Sequence, residues 1–179
     1  LLHTDRQSHL LVDELPSLPL ALDNMAGAYG GGYIYVAGGL SNGKTVNAAF
    51  RMRYPHGKEW ERLPDFPGAA RVQPAAAVQN NATSSCFYLV GGFAPIDGDQ
   101  PAVAHTDGYY YNAAARQWIK IADIVPHGRS EAMTLAGAYG ISSGCAHIVF
   151  VGGVNKQRFE RAVNMPLLLK KAEFTAKKY

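Results

Sequence analysis

Tyr33-Ile34-Tyr35-Val36-Ala37-Gly38-Gly39, Phe87-Tyr88-Leu89-Val90-Gly91-Gly92 and His147-Ile148-Val149-Phe150-Val151-Gly152-Gly153 are one pattern written three times, an apolar run closed by a glycine pair. The glycine pairs recur after 53 and then 61 residues, a period that marks a repeated supersecondary unit. Aromatics keep the same phase. Tyr54 and then Trp60-Glu61-Arg62-Leu63-Pro64 follow the first pair; Tyr109, Tyr110 and Tyr111 and then Trp118-Ile119-Lys120-Ile121 follow the second, with the two tryptophans 58 residues apart. Upstream of each pair lies a segment rich in small residues, at 24–29, 72–78 and 131–137. Alanine and glycine are poor strand formers, so their repeated use asks for a packing reason, which innermost strands around a crowded axis supply. The composition agrees. In 179 residues, 47% hydrophobic and 17% charged, 19 glycines and 10 prolines are scattered rather than clustered, as an all-β domain of short strands and turns requires.

A glycine pair at the end of the second strand, followed by a Tyr and a Trp at fixed offsets, resembles the kelch repeat, which builds the four-stranded blades of a β-propeller. On that reading residues 1–18 are the outer hairpin of a preceding blade, turning at Asp5-Arg6-Gln7-Ser8. Residues 19–65 and 66–123 are whole blades, and residues 124–179 supply two inner strands of a third blade plus a helical insertion, in which Phe159, Val163, Leu167 and Leu168 recur at helical intervals. The expected fold is a partial kelch-type propeller, about three blades of six. Since fewer than four blades do not close a ring, the expected companions are the missing blades of the same polypeptide or a second copy.

Charge narrows the functional classes. Residues 156–179 carry seven Lys and Arg against two Glu, so of the net +3 the tail holds +5 and the first 155 residues hold −2. A nucleic-acid reader would carry its basic stripe on the folded body, and no nucleic-acid partner is expected. No apolar run approaches the roughly 18 residues that span a bilayer, so no membrane partner is expected either. Cys86 and Cys145 lack the spaced partners of a zinc site and read as two buried or half-buried thiols. Neither a metal nor another cofactor is expected.

Four stretches are more specific than the repeat. They are the run from Leu15-Pro16-Ser17-Leu18 to Asp23-Asn24-Met25-Ala26-Gly27, the run Leu63-Pro64-Asp65-Phe66-Pro67-Gly68-Ala69-Ala70-Arg71-Val72-Gln73, the segment Thr106-Asp107-Gly108-Tyr109, and Gly152-Gly153-Val154-Asn155-Lys156. In this order they resemble the N-acetylneuraminate epimerases, the sialic acid mutarotases, in the branch whose blade order is cyclically permuted. The resemblance implies a six-bladed kelch propeller that interconverts the α and β anomers of a free sugar acid, usually in the periplasm of Gram-negative bacteria. It also implies a catalytic Glu and Arg after a glycine-containing strand end; the comparable places here, Gly92-Phe93 and Ala104-His105-Thr106-Asp107, hold neither, and that pair is not assigned to this chain.

Anomerisation of a 2-keto sugar acid needs a base for the anomeric hydroxyl proton, an acid for the ring oxygen and a cation for the carboxylate. In a propeller, residues at the start of each innermost strand converge on one mouth of the central channel. Asp23 and Asn24, Arg71 and Gln73, and Arg129, Ser130 and Glu131 read as occupying that repeat position. Arg71 is expected to bind the substrate carboxylate through its planar fork, assisted by Arg129. Asn24 and Gln73 are expected to bind hydroxyl or N-acetyl groups, and Glu131, ahead of Asp23, to accept the proton. The competing role for the arginines is structural, as interblade ion pairs. The competing function is a kelch protein-binding module that grips an acidic peptide at the same mouth. The Ser-x-Asp-x-Gly-x-x-Trp box of sialidase propellers is absent.

Other features read as ordinary. His105 and His127 are loop residues, Asp97-Gly98-Asp99 is a turn, Tyr109 to Tyr111 pack between blades, and Asn81-Ala82-Thr83 is a glycosylation sequon that matters only in a eukaryotic secretory pathway.

Overall fold

The computed structural model of the protein describes residues 2–12, 14–81 and 84–176. The Ala82 and Thr83 positions of the sequon, and Lys177 and Lys178 of the basic tail, lie outside them. Strands β1 (Leu2–Thr4) and β2 (Leu10–Val12) form a two-stranded hairpin. The Asp5 carboxylate closes it by accepting from the backbone N–H groups of Gln7 and His9, both at 2.9 Å. The first four-stranded antiparallel sheet runs in the order β3 (Ala26–Gly30), β4 (Tyr33–Ala37), β7 (Ala49–Arg53), β8 (Glu61–Leu63), with the small hairpin β5 (Leu40–Ser41) and β6 (Lys44–Thr45) inserted between β4 and β7. The second repeats it: β9 (Ala75–Asn80), β10 (Ser85–Val90), β13 (Gly108–Asn112), β14 (Gln117–Ile121), with the hairpin β11 (Phe93–Ala94) and β12 (Val103–Ala104) in the same place. A third pair, β15 (Tyr139–Ser143) and β16 (His147–Val151), is followed by α1 (Lys156–Val163) and α2 (Met165–Ala176). The chain is an all-β, kelch-type propeller in part, with two short helices.

Register shows which loops share a face. Ala26, Ala37, Ala49 and Leu63 stand in one cross-sheet row, and Ala75, Val90, Gly108 and Ile121 form the matching row in the second sheet. The chain entering the first strand of a sheet, the loop after the second, and the chain leaving the fourth therefore all open at the same end.

The innermost strands β3, β9 and β15 pack side by side. A Cβ at Gly140 on β15 would stand 2.5 Å from the Ala76 carbonyl oxygen of β9, closer than nonbonded atoms approach, which explains the small residues of these strands. The glycine pairs meet a second constraint. Gly91 and Gly92 have φ of +67° and +84°, and a Cβ on Gly92 would lie 2.7 Å from the Val72 carbonyl oxygen, because the segment that leads into β9 runs directly beside the turn.

Between the sheets the aromatics interlock. Tyr35 stacks on Phe87 at 4.9 Å, Phe87 meets Trp118 edge-on at 5.9 Å, and Tyr111 and Phe66 complete a core that is almost fully buried. Each tryptophan also has a polar duty. Trp60 Nε1 donates to the Pro16 carbonyl and Trp118 Nε1 to the Pro64 carbonyl, both at 2.7 Å, so successive repeats are tied by the same bond.

Two local expectations differ from the structure. The small-residue segment 131–137 is not the third innermost strand; that strand is β15, beginning at Tyr139. Thr134, Leu135 and Ala136 are instead buried under the Gly91-Gly92 turn, where a Cβ on Gly91 would meet the Leu135 nitrogen at 2.6 Å, and the chain reaches the sheet only after a turn through Gly137 (φ +68°). Of the two free cysteines, Cys86 is buried in β10, whereas Cys145 is exposed in the β15–β16 turn.

Replacing Gly92 by Ala will cost about 2 to 3 kcal/mol of stability, since the new Cβ meets backbone on one side and a left-handed φ is imposed on a residue that disfavours it. Chemical denaturation measures it, and an unchanged midpoint would contradict the close approach described.

Candidate functional site

Of the residues expected at the channel mouth, Arg71, Asn24, Gln73, Arg129 and Glu131 separate into three groups. Arg71 is 1% exposed. Its Nη1 and Nη2 donate to Asp107 Oδ1 at 2.7 Å and Oδ2 at 3.0 Å, Nη1 also donates to the Gly91 carbonyl at 3.0 Å, and Nε donates to the Ala69 carbonyl at 2.8 Å. The expectation that Arg71 grips a substrate carboxylate is therefore corrected. Its fork is already filled by the Asp107 carboxylate, 36 residues away in sequence, and the pair fastens the entry segment of the second sheet to the loop after β12. The structural role weighed for this arginine is the one the geometry supports.

Asp107 is shaped by the same pair. Burial alone would raise its pKa, but hydrogen bonds from the Arg71 guanidinium and from the Tyr109 hydroxyl (2.7 Å), with the Arg71 charge, hold it at about 2. Tyr109 answers in the opposite direction, pushed up to about 12 by burial and by the hydrogen bond it gives to that carboxylate. Next along the chain, the His105 pKa is lowered, first by burial and then by the Arg71 charge, and its Nε2 is buried without a hydrogen-bond partner. The imidazole is thus neutral at ordinary pH.

Asn24 and Gln73 form the second group. They stand two residues before Ala26 and Ala75, the first paired residues of β3 and β9, and the equivalent place before β15 is Gly137. All three have left-handed φ, +51°, +50° and +68°, and they join edge to edge: Gln73 N donates to Asn24 O at 2.8 Å, and Gly137 N to Gln73 O at 3.0 Å. Gln73 Nε2 also donates to Asn24 Oδ1 at 3.2 Å. Both side chains are exposed on the face where the glycine-pair loops open.

Arg129 and Glu131 form the third. They do not share the repeat position of Asn24 and Gln73; they belong to the loop between β14 and β15, because the extra residues before Tyr139 hold them back from the strand. That loop forms one wall of a cleft of about 1130 Å³, which Arg129, Ser130, Glu131 and Met133 line from one side, Asn155, Lys156 and Gln157 from the start of α1, and Thr106 from below β12. Arg129 and Glu131 are exposed, and among the described residues neither side chain has a hydrogen-bond or ion-pair partner. Thr106 Oγ1 donates to Asp123 Oδ2 at 2.9 Å and so fixes its own rotamer at the cleft edge.

Sequence reasoning missed three members of this neighbourhood. Asp107 and Tyr109 lie inside a quoted motif, yet only the pairing of β10 with β13 brings them beneath Arg71. Lys156 also ends a quoted motif, but in the sequence its charge reads as part of the basic tail. The Asn155 side chain accepts from Arg158 N at 3.0 Å and caps α1, and Asn followed by a run of helix formers was the available signal that a helix begins there. Among the described residues no group of three or more His, Cys, Asp and Glu is placed to hold a metal ion, and no helix is long and apolar enough to cross a membrane.

Asp107→Asn will destabilise the protein by about 3 kcal/mol or more, because a fully buried guanidinium loses its counter-charge. With a folded pKa near 2 against an ordinary 3.8, Asp107 contributes stability at neutral pH that is lost as pH falls from about 4 towards 2. Acid titration of stability will show this limb in the native protein, worth roughly 2 kcal/mol, and a flatter one in the variant.

Comparison with known proteins agrees with this fold. Residues 15–172 match the family model described as N-acetylneuraminate epimerase. A relative from Salmonella enteritidis PT4 called N-acetylneuraminate epimerase is 31% identical over 148 residues, 82% of this chain and 35% of its own length. One of the same name from Pasteurella multocida is 33% identical over 144 residues, 80% of this chain and 34% of its own. The solved structure of YjhT superposes with a TM-score of 0.63 at 22% identity, covering 84% of this chain and 40% of that one, and this likeness concerns the fold. The chain spans about a third of the length of the curated relatives it matches. On the extent of the family match and the identity to its members, the chain belongs to the N-acetylneuraminate epimerase family.

Proposed function

We propose that the cleft between the β14–β15 loop and α1 is part of an active site that interconverts the α and β anomers of N-acetylneuraminate. The observation that carries this reading is the presence, on one cleft wall, of an arginine and a glutamate, two residues apart, whose side chains have no partner among the described residues, in a cavity large enough for a sugar acid and its water. The names of the relatives support the substrate.

The chemistry is redox-neutral and moves only protons. Arg129 holds the C1 carboxylate through charge-assisted hydrogen bonds. The Glu131 carboxylate takes the proton of the anomeric hydroxyl while the bond between C2 and the ring oxygen breaks, and the ring oxygen takes a proton from water in the open cleft. The product is the open-chain keto acid. Rotation about the bond beside the carbonyl exposes its other face, and return of the ring oxygen with the reverse proton transfers closes the opposite anomer. Positioned proton transfer of this kind contributes about 10² to 10⁴-fold. Asn24 and Gln73, which engage each other, are given no contact with the sugar in this proposal, and Arg71 acts only by holding the Asp107 loop.

Proton NMR of freshly dissolved N-acetylneuraminate with the full-length protein follows the anomers to equilibrium. The native protein will accelerate exchange. Glu131→Gln will lower the rate by about 10²-fold, and Arg129→Ala will weaken binding by about 10-fold or more, as expected for loss of a base and of a carboxylate anchor. Exchange no faster than in buffer, with an acidic peptide bound at the same cleft, would replace the enzyme by the binding module.

A further inference from the structure

Helix α1 is fastened to the β11–β12 hairpin by side chains that bond its backbone. Lys156, Glu160 and Asn164 lie four residues apart, so they share one helix face. Asn164 Nδ2 donates to the Ala102 carbonyl at 3.0 Å while its Oδ1 accepts from Ala102 N at 2.7 Å. Glu160 Oε1 accepts from Ala104 N at 2.9 Å, and Lys156 Nζ donates to the Ala104 carbonyl. Ala102 and Ala104 are alternate residues along β12 and its approach, so their outward N–H and C=O groups belong to the free edge of the β11–β12 hairpin. A step of four helix residues, about 6 Å, nearly matches a step of two strand residues, about 6.8 Å. The three side chains thus take the place of a neighbouring strand. Phe159 seals the same contact by meeting Phe93 edge-on at 4.9 Å.

This clamp has a consequence for the cleft that α1 lines with its first turn. Lys156 is its cleft-side member. Its ammonium has three N–H donors, of which one goes to the Ala104 carbonyl and one to Glu160 Oε1 at 2.7 Å. Glu160 is kept ionised by that contact: burial would raise its pKa, but the hydrogen bonds from Lys156 and from Ala104 N bring it below its usual value. The first turn of α1 holds no acidic residue that would compete for the remaining donor. The lysine ammonium is therefore held by both a strand carbonyl and a helix carboxylate, in contrast to Arg129 on the β14–β15 loop, whose side chain has no partner among the described residues.

Resting on the reading of the cleft as a sugar-acid site, we infer that Lys156 is a second, pre-positioned substrate-binding cation. Its third N–H meets the substrate carboxylate from the α1 wall while Arg129 closes on it from the other. Glu160 is the positioning residue that aims the ammonium, and the hairpin clamp makes the two neighbouring repeats contribute jointly to one carboxylate site.

The test uses the full-length protein, N-acetylneuraminate and its methyl ester, whose anomeric hydroxyl is intact but whose carboxylate charge is gone. In Lys156→Met the KM for the free acid will rise about 10-fold with kcat little changed, KM for the methyl ester will stay within about twofold, and Lys156→Arg will restore most of the loss. Equal losses for acid and ester would show that the residue only supports the fold, and no change for the acid would remove it from the site; either overturns the inference. Calorimetric titration of N-acetylneuraminate separates this from the enzymatic reading. Native protein that binds without accelerating exchange, while Lys156→Met binds about 10-fold more weakly, overturns the mutarotase and upholds Lys156. Native protein that does not bind the acid overturns both.

Discussion

Crowding at the axis governs this molecule. Three innermost strands lie so close that a single Cβ on β15 would collide with the backbone of β9, and β4 and β10 each turn away through glycines under which the next segment passes. Everything outward of the axis can be bulky because the axis is not. Tyr35, Phe87, Tyr111 and Trp118 fill the widening gap between sheets, so side-chain size grows with distance from the centre, as a wedge requires. The open loops then gather on one face, and the cleft is assembled there from parts of two repeats.

This constraint explains what the sequence could say. A glycine pair after an apolar run, repeated in phase with tryptophan, reports a geometry that few other folds impose, so the propeller class was legible from three short words. The third innermost strand was not. Segment 131–137 has the alanines of β3 and β9, but its Leu135 is used to plug the Gly91-Gly92 turn, and small residues suit a tight turn as well as a crowded strand. Counting backward from His147 through the Gly144-Cys145-Ala146 turn, as a hairpin demands, places the strand at Tyr139 where composition alone did not.

The site was legible in proportion to its locality. Arg129 and Glu131 stand close in sequence and do line one cleft. Arg71 showed the right chemistry, a planar fork seeking a carboxylate, but the carboxylate is Asp107, and only the fold reveals that a residue 36 positions away arrives beneath it. An arginine in a buried entry loop is accordingly ambiguous from sequence, since the same fork serves a ligand or a neighbour. The face Lys156, Glu160 and Asn164 was invisible for a different reason. Its partners are backbone groups of alanines, which carry no signal in their side chains.

The indole-to-proline ties give the array a direction. In each of the two observed instances the donor sits on the later repeat and the acceptor on the earlier one, so the unit 19–65 has a hook on one flank and an eye on the other. Units joined by such asymmetric fasteners add in only one rotational sense. A reversed or swapped unit would face hook to hook, with two indole N–H groups and no carbonyl between them. The polarity of the array is thereby written into the two indole hydrogen bonds, far from the centre whose crowding shapes the wedges.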